Sequence, residues 1–215
     1  MNNQRLTIVV LVLAGLAALG AGIGSYVAQQ AGSEPDTPDG LLWPNPKTFP
    51  DVTLYDHNGD DFTTADFKDQ WSLVFFGFTH CPDICPNTLS QLDRLQKQLA
   101  DNGIDDSELQ VVFISVDPER DTPERLAEYV EYFNRDFVGA SGDKEAIDRL
   151  TRSIGAVYHI AEADEDGDYQ VDHSASVFLF DPQARMVSVF TTPHEVPSMR
   201  EQFVAIHDFI EQQAL

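Results

Sequence analysis

The chain has 215 residues, 42% of them hydrophobic, and a formal net charge of −23 from 36 acidic and 13 basic side chains. That length suffices for one domain of ordinary size with a substantial core, once an N-terminal segment is set aside. The acidity excludes a nucleic-acid footprint, which needs basic surface, and a domain that lies on anionic lipid.

Residues 1–5 form a short tail ahead of an uncharged apolar stretch, residues 6–27. About twenty apolar residues cross a bilayer, so this stretch is expected to be a transmembrane anchor. Arg5 precedes it, and Glu34, Asp36 and Asp39 follow it. The positive-inside rule then keeps the N-terminus in the cytoplasm and sends the rest across the membrane. The competing reading is a cleaved signal peptide. The stretch is long for that and closes on no clear small-x-small site, although residues 28–31 leave cleavage open. Residues 28–50, rich in Pro, Gly and acids, are expected to be a linker, with Leu41, Leu42 and Trp43 docking on the domain.

The globular domain is expected to span 51–215. Val52, Thr53, Leu54 and Tyr55 read as a strand, Asn58-Gly59 as a hairpin turn, and Phe62-Thr63 as the return. Residues 73–78 form an apolar run that reads as a buried strand. A helical pattern follows, with Leu89, Leu92, Leu95 and Leu99 on one face, ending near Asn102-Gly103. Residues 109–116 read as a second buried strand of the parallel type. Thr122 is a cap with Pro123 at the first helical position, ahead of Leu126, Tyr129, Val130 and Phe133. A short strand at 137–139 precedes a helix capped by Asp143, with Ile147, Leu150 and Ile154 inward. Residues 158–160 read as one more strand. The acidic run 161–172 lacks the ligand spacing of a calcium loop and reads as a solvated hairpin tip. Strands at 176–180 and 186–190, turned at Asp181-Pro182, and a helix with Met199, Phe203, Ile206 and Ile210 inward close the chain. Alternating strands and helices with a closing hairpin predict an α/β fold with a mostly parallel, mixed sheet.

The chemistry centres on the stretch FFGFTHCPDICP, residues 75–86, which holds both cysteines of the chain. Cys81 and Cys85 sit where a strand becomes a helix. One helical turn separates them, which brings both sulfurs to one face. The positive end of a helix favours thiolate, and cysteine pKa values in such places fall to roughly 3.5–7.5. Two adjacent thiolates either ligate a soft metal or close a disulfide. His173, just before a closing strand, is the candidate third ligand. Two thiolates and one imidazole suit copper, whereas structural zinc normally takes a fourth protein ligand. Asp117, at the carboxyl end of its strand, is a candidate to hydrogen-bond near the site or orient a ligand. His80 is expected to be a supporting or surface residue, because neighbours on a turn point apart. His57, His159, His194 and His207 show no partner pattern and are expected at the surface.

The run FFGFTHCPDICPNTL, the loop SVDPERDTP and the segment DHSASVFLFDP, in this order, resemble the Sco/SenC family, as does the apolar N-terminal stretch. The resemblance implies a thioredoxin-like fold, a central mixed sheet flanked by helices, behind an N-terminal transmembrane helix. It implies one copper per domain, Cu(I) or Cu(II), held by Cys81, Cys85 and His173. It implies a role in assembling the binuclear copper centre of cytochrome c oxidase subunit II, with other copper chaperones or thiol reductants as further partners and no nucleic acid. The strongly acidic run before Asp172 departs from the family and bears on surface and partner choice rather than on ligands.

The expected protein is therefore a metallochaperone rather than an enzyme. It is expected in the inner membrane as a single-pass protein, its domain facing the periplasm. The alternative is a thiol–disulfide oxidoreductase in which Cys81 and Cys85 reduce the partner's cysteines. The usual redox motif has two intervening residues, whereas this one has three. A peroxidase or redox sensor ranks last.

Overall fold

The computed structural model describes residues 42–213 other than 44, 102, 105–106 and 166–167. The tail, the apolar segment 6–27 and most of the expected linker lie outside these residues. Among the described residues, no helix is long and apolar enough to cross a membrane.

Among the described residues, ten strands and four helices follow one another. Strands β1 (Lys47–Thr48), β2 (Leu54–Asp56) and β3 (Asp61–Phe62) lead through a 3-10 turn, Thr64–Phe67, to β4 (Trp71–Gly77) and helix α1 (Ile84–Ala100). Then come β5 (Leu109–Ser115), α2 (Pro123–Phe133), β6 (Val138–Ser141) and α3 (Lys144–Ile154). Strands β7 (Tyr158–Ile160), β8 (Val171–His173), β9 (Val177–Phe180) and β10 (Arg185–Phe190) precede α4 (Val196–Gln213).

Eight strands form one sheet in the order β1-β10-β9-β4-β5-β6-β2-β3. The centre is parallel: β4 pairs β5 from Trp71↔Leu109 to Gly77↔Ser115, and β5 pairs β6. The outer pairings, β9 with β4, β10 with β9, β1 with β10, β2 with β6 and β2 with β3, are antiparallel. The sheet is mixed and flanked by helices, as the resemblance implies, but only its central pairings are parallel, so it is not the mostly parallel sheet that the alternation predicts: the closing hairpin and the N-terminal strands add antiparallel neighbours on both sides.

Every residue of β4 and β5 is buried. Central strands covered on both faces read as unbroken apolar runs, which is why Leu73, Val74, Phe75 and Phe76 stand consecutively. Each such side chain contributes roughly 1.5–3 kcal/mol by leaving water. Helix α1 buries Leu89, Leu92, Leu95 and Leu99. Helix α2 starts as its sequence dictates: the Thr122 hydroxyl accepts from Arg125 N–H, and Pro123 occupies the first turn. Helix α3 is capped by the Asp143 carboxylate on Ala146 N–H and ends at Gly155, φ +86°. The Asn58-Gly59 turn joins β2 to β3, with Gly59 at φ +86°.

Two elements differ from the expectation. Strand β1 lies inside the stretch read as linker. Its Lys47 and Thr48 pair with Met186 and Arg185, and Phe49 beside it is buried, stacked 4.1 Å from the Phe67 ring. One buried aromatic and an open sheet edge override the Pro-rich composition. The second is β8, where the sequence pattern predicts no strand. It pairs antiparallel with β7 in a separate two-stranded sheet, Tyr158 opposite His173. The acidic run is the turn of that hairpin, with Glu162, Asp164, Glu165 and Asp168 exposed.

Candidate metal centre

Strand β4 ends at Gly77, and the chain turns through Phe78, Thr79 and His80 before α1 begins at Ile84. Cys81 lies in that turn and Cys85 in the first turn of the helix. A buried carboxylate holds the turn. Asp121, fully buried, accepts from Thr79 N–H at 2.9 Å, Thr79 Oγ1 at 2.6 Å and Ser115 Oγ at 2.5 Å. His80 is about half exposed, with Nδ1 3.2 Å from Thr79 Oγ1 and 3.7 Å from Asp121. Its ring is not among the donor atoms gathered with the two sulfurs.

The two thiols are free and unequal. Cys85 is fully buried, while Cys81 is 9% exposed at the surface of the turn. A hydrogen bond from the Cys85 thiol is the largest influence on Cys81. It acts with the backbone N–H groups of Asp83 and Cys85 to push the Cys81 pKa down to about 4, against the cost of burial. Donating that bond, and being buried, pushes Cys85 far up, with the charges of Cys81 and Asp121 adding to the effect. Cys81 is thus the resident thiolate and Cys85 the resident thiol.

The depth of Cys85 depends on a missing side chain. A Cβ at Gly77 would stand 2.6 Å from the Cys85 sulfur and 2.8 Å from Cε2 of Phe113. Only glycine lets the sulfur rest against the end of β4. Phe113 in turn packs 5.3 Å from the Tyr129 ring, whose buried hydroxyl has no hydrogen-bond partner among the described residues.

His173 arrives from the β7–β8 sheet. Its neighbour Ser174 donates its N–H to the Val157 carbonyl at 2.8 Å, which ties the end of β8 to the start of β7. The imidazole stands edge-on to Phe75 and Phe78, at 5.8 and 5.9 Å between ring centroids. Nδ1 lies 3.1 Å from the Ser174 carbonyl, which can only accept, so Nδ1 carries the proton. Nε2 therefore presents a lone pair, 3.2 Å from the Cys85 sulfur. An outer hydrogen bond that fixes the tautomer is what a ligating histidine needs.

Cys81, Cys85 and His173 thus converge, each offering one donor atom, all within 4.8 Å of one another. Two sulfurs and one imidazole nitrogen make a soft, three-donor set that suits Cu(I) and also accepts Cu(II).

Asp117 is placed differently from the expectation. It is fully buried at the end of β5, but it hydrogen-bonds to none of the three donors. It accepts from Arg120 Nε at 2.5 Å and from the Tyr169 hydroxyl at 2.6 Å. The Arg120 guanidinium lies 3.7 Å from the centre of the Tyr169 ring and 5.7 Å from that of Phe78. Asp117 therefore reaches the site at third hand, through Arg120, Phe78 and then His173. The carboxylate that serves the cysteine turn directly is Asp121, four residues on.

Three of the histidines expected at the surface are engaged. His57 Nδ1 accepts from Gly139 N–H at 3.0 Å. His207 packs on Trp71 and Phe203. His194 is buried, with Nδ1 3.3 Å from Thr88 Oγ1, and burial lowers its pKa. His159 is exposed as expected.

Comparison with known proteins yields the same architecture. The SCO1/SenC family profile matches residues 44–207. The bovine mitochondrial protein named SCO2 homolog is 42% identical over 142 residues, 66% of this chain and 53% of that one. The chain thus spans about half the length of that mitochondrial relative. The crystal structure of Arabidopsis thaliana ScoI with copper bound superposes with a TM-score of 0.67 at 35% identity, over 78% of this chain and 98% of that one. BsSco, described as a member of the Sco family of cytochrome c oxidase assembly proteins, shares the fold with a TM-score of 0.61 at 22% identity, over 79% of this chain and 98% of that one. The profile covers β1 through most of α4 and every residue of the three-donor cluster, and on that match the chain belongs to the SCO1/SenC family.

Proposed function

We propose that this chain is a membrane-tethered copper chaperone that serves the assembly of cytochrome c oxidase. Copper is its cargo. Cys81, Cys85 and His173 hold the ion, and the observation that carries this reading is the convergence of their three donor atoms within 4.8 Å. Copper held in a relative of the same family supports it. Cys81, already a thiolate, meets the incoming ion first. Cys85 releases its proton as it binds, and His173 closes the site with the Nε2 lone pair. Three-coordinate binding leaves an open side on which a partner's thiolate can enter before a ligand leaves. The expected recipient is the binuclear copper centre of subunit II.

The uncharged segment 6–27 fits a single-pass anchor with the N-terminus in the cytoplasm. The domain then works at the outer face of the inner membrane, in the periplasm. Tethering raises its effective concentration near a membrane-bound partner.

A second reading, thiol–disulfide exchange on the partner's cysteines, draws support from the unequal thiols. An activated Cys81 beside a protonated Cys85 is an attacking thiolate with a resolving neighbour. Copper titration of the reduced protein and of its disulfide form separates the readings. A chaperone binds about one copper when reduced and loses that affinity when oxidised, because a disulfide sulfur is no longer a thiolate ligand. Equal copper binding by both forms rejects the thiolate site.

A further inference from the structure

The structure carries a docking surface beside the three-donor cluster. We propose that the shallow apolar depression next to His173 receives a copper-exchanging partner whose contact surface is apolar at its centre and basic at its rim. The proposal deepens the reading of the cluster as a copper centre and rests on it. The depression, of about 280 Å³, is lined mostly by apolar atoms of Val157, Tyr158, His159, Asp172, His173 and Ser174. Val157 is 69% exposed, and among the described residues only Tyr132 is a large apolar side chain more open. It is not frayed chain, because its carbonyl accepts from Ser174 N–H at 2.8 Å. An ordered β-branched side chain is held in water at the edge of the cluster, where docking would bury it.

Charge selects the occupant. Residues 157–174 include Glu162, Asp164, Glu165, Asp166, Asp168 and Asp172, and no lysine or arginine. Those described are exposed, and so is Asp83 beside Cys81. Asp172 lines the depression itself, and the other acids follow along the same hairpin toward its tip, past the Ile160–Val171 pair, so a partner that lies along the hairpin from the depression meets them. The nearby cations are already engaged. Arg120 is bound to Asp117 under the Tyr169 ring, and Lys144 Nζ pairs with Asp148 at 2.8 Å. This rim attracts a basic surface and repels an acidic one. A second copy of this chain, also at −23, is repelled too.

The test uses the full chain in nonionic detergent, reduced and metal-free. Two fluorescent peptides share one apolar, cysteine-free centre. One is flanked by lysines and the other by glutamates. Anisotropy is expected to show the lysine peptide binding at least about tenfold more tightly at low salt. That advantage is expected to collapse near 1 M salt, where the screening length falls to about 3 Å. The variant Glu162→Gln/Glu165→Gln/Asp168→Asn is expected to lose the advantage, and Val157→Ser to weaken the lysine peptide at both salt concentrations. Equal binding of the two peptides, an unaltered preference in the triple variant, or Ca²⁺ binding at the hairpin without peptide binding overturns the proposal. Copper titration of the same samples is a separate readout, expected unchanged in these variants. Wild type that binds the lysine peptide but no copper would sink the copper reading and leave the docking face standing.

Discussion

His173 Nε2 lies 3.2 Å from the Cys85 sulfur, and 88 residues of chain separate the two. The strand-to-helix turn supplies the sulfur, and a small separate sheet supplies the nitrogen. Removing the nitrogen tests the joint. His173→Ala is expected to lower copper affinity by more than the roughly 10–100-fold typical of an outer-shell partner, since it removes a ligand itself. Formation of the Cys81–Cys85 disulfide is expected to persist. Isothermal titration against a competing chelator and a thiol count check the two halves.

The unequal thiols predict selective chemistry. Cys81, with its pKa near 4, is expected to react with iodoacetamide at a rate nearly independent of pH from about 5 to 8. Cys85 is expected to be alkylated at least about tenfold more slowly, because its thiol is buried and its pKa is raised. Mass spectrometry of peptides after brief labelling reads the difference. The same asymmetry sets a sign for metal binding. One thiol proton remains to be displaced at neutral pH, so copper affinity rises with pH and about one proton is released per ion.

Gly77→Ala is expected to fold less stably and to bind copper less tightly. The new methyl would stand 2.6 Å from the Cys85 sulfur and 2.8 Å from Phe113, so one of them must move. Overpacking of this kind costs typically about 1–3 kcal/mol. The sulfur-to-copper charge-transfer band is expected to shift as well, which a loss of stability alone would not produce.

Asp121→Ala strips the acceptor from Thr79 N–H, Thr79 Oγ1 and Ser115 Oγ, all buried. Each donor left unsatisfied costs about 1–3 kcal/mol. Urea unfolding is expected to show a larger loss for Asp121→Ala than for substitution of the exposed Glu119, which caps nothing buried.

The central sheet and the cysteine turn were legible because their signals are local. Residues 73–78 are an unbroken apolar run, the prolines flank the two cysteines, and Thr122 and Asp143 stand where caps belong. His173 was different. A lone histidine has no local signature, and its role came from the resemblance carried by the DHS segment. Nothing in the sequence marks Val171–His173 as a strand, because three residues cannot show a period. Asp117 drew attention by its place at the end of β5. Asp121, in the same loop, is the residue that holds the turn, and only the fold brings Thr79 to it. The same holds for Gly77, whose importance lies in what sits opposite, and for His194, which Thr88 meets only when α1 packs against the β10–α4 loop.

The most direct test is X-ray absorption spectroscopy of the reduced protein carrying one equivalent of Cu(I). Two sulfurs near 2.2–2.3 Å and one nitrogen near 2.0 Å, on the general scale of thiolate and imidazole bonds to such metals, are expected, with the nitrogen lost in His173→Ala. A spectrum without sulfur neighbours, or one that His173→Ala leaves unaltered, would contradict the account.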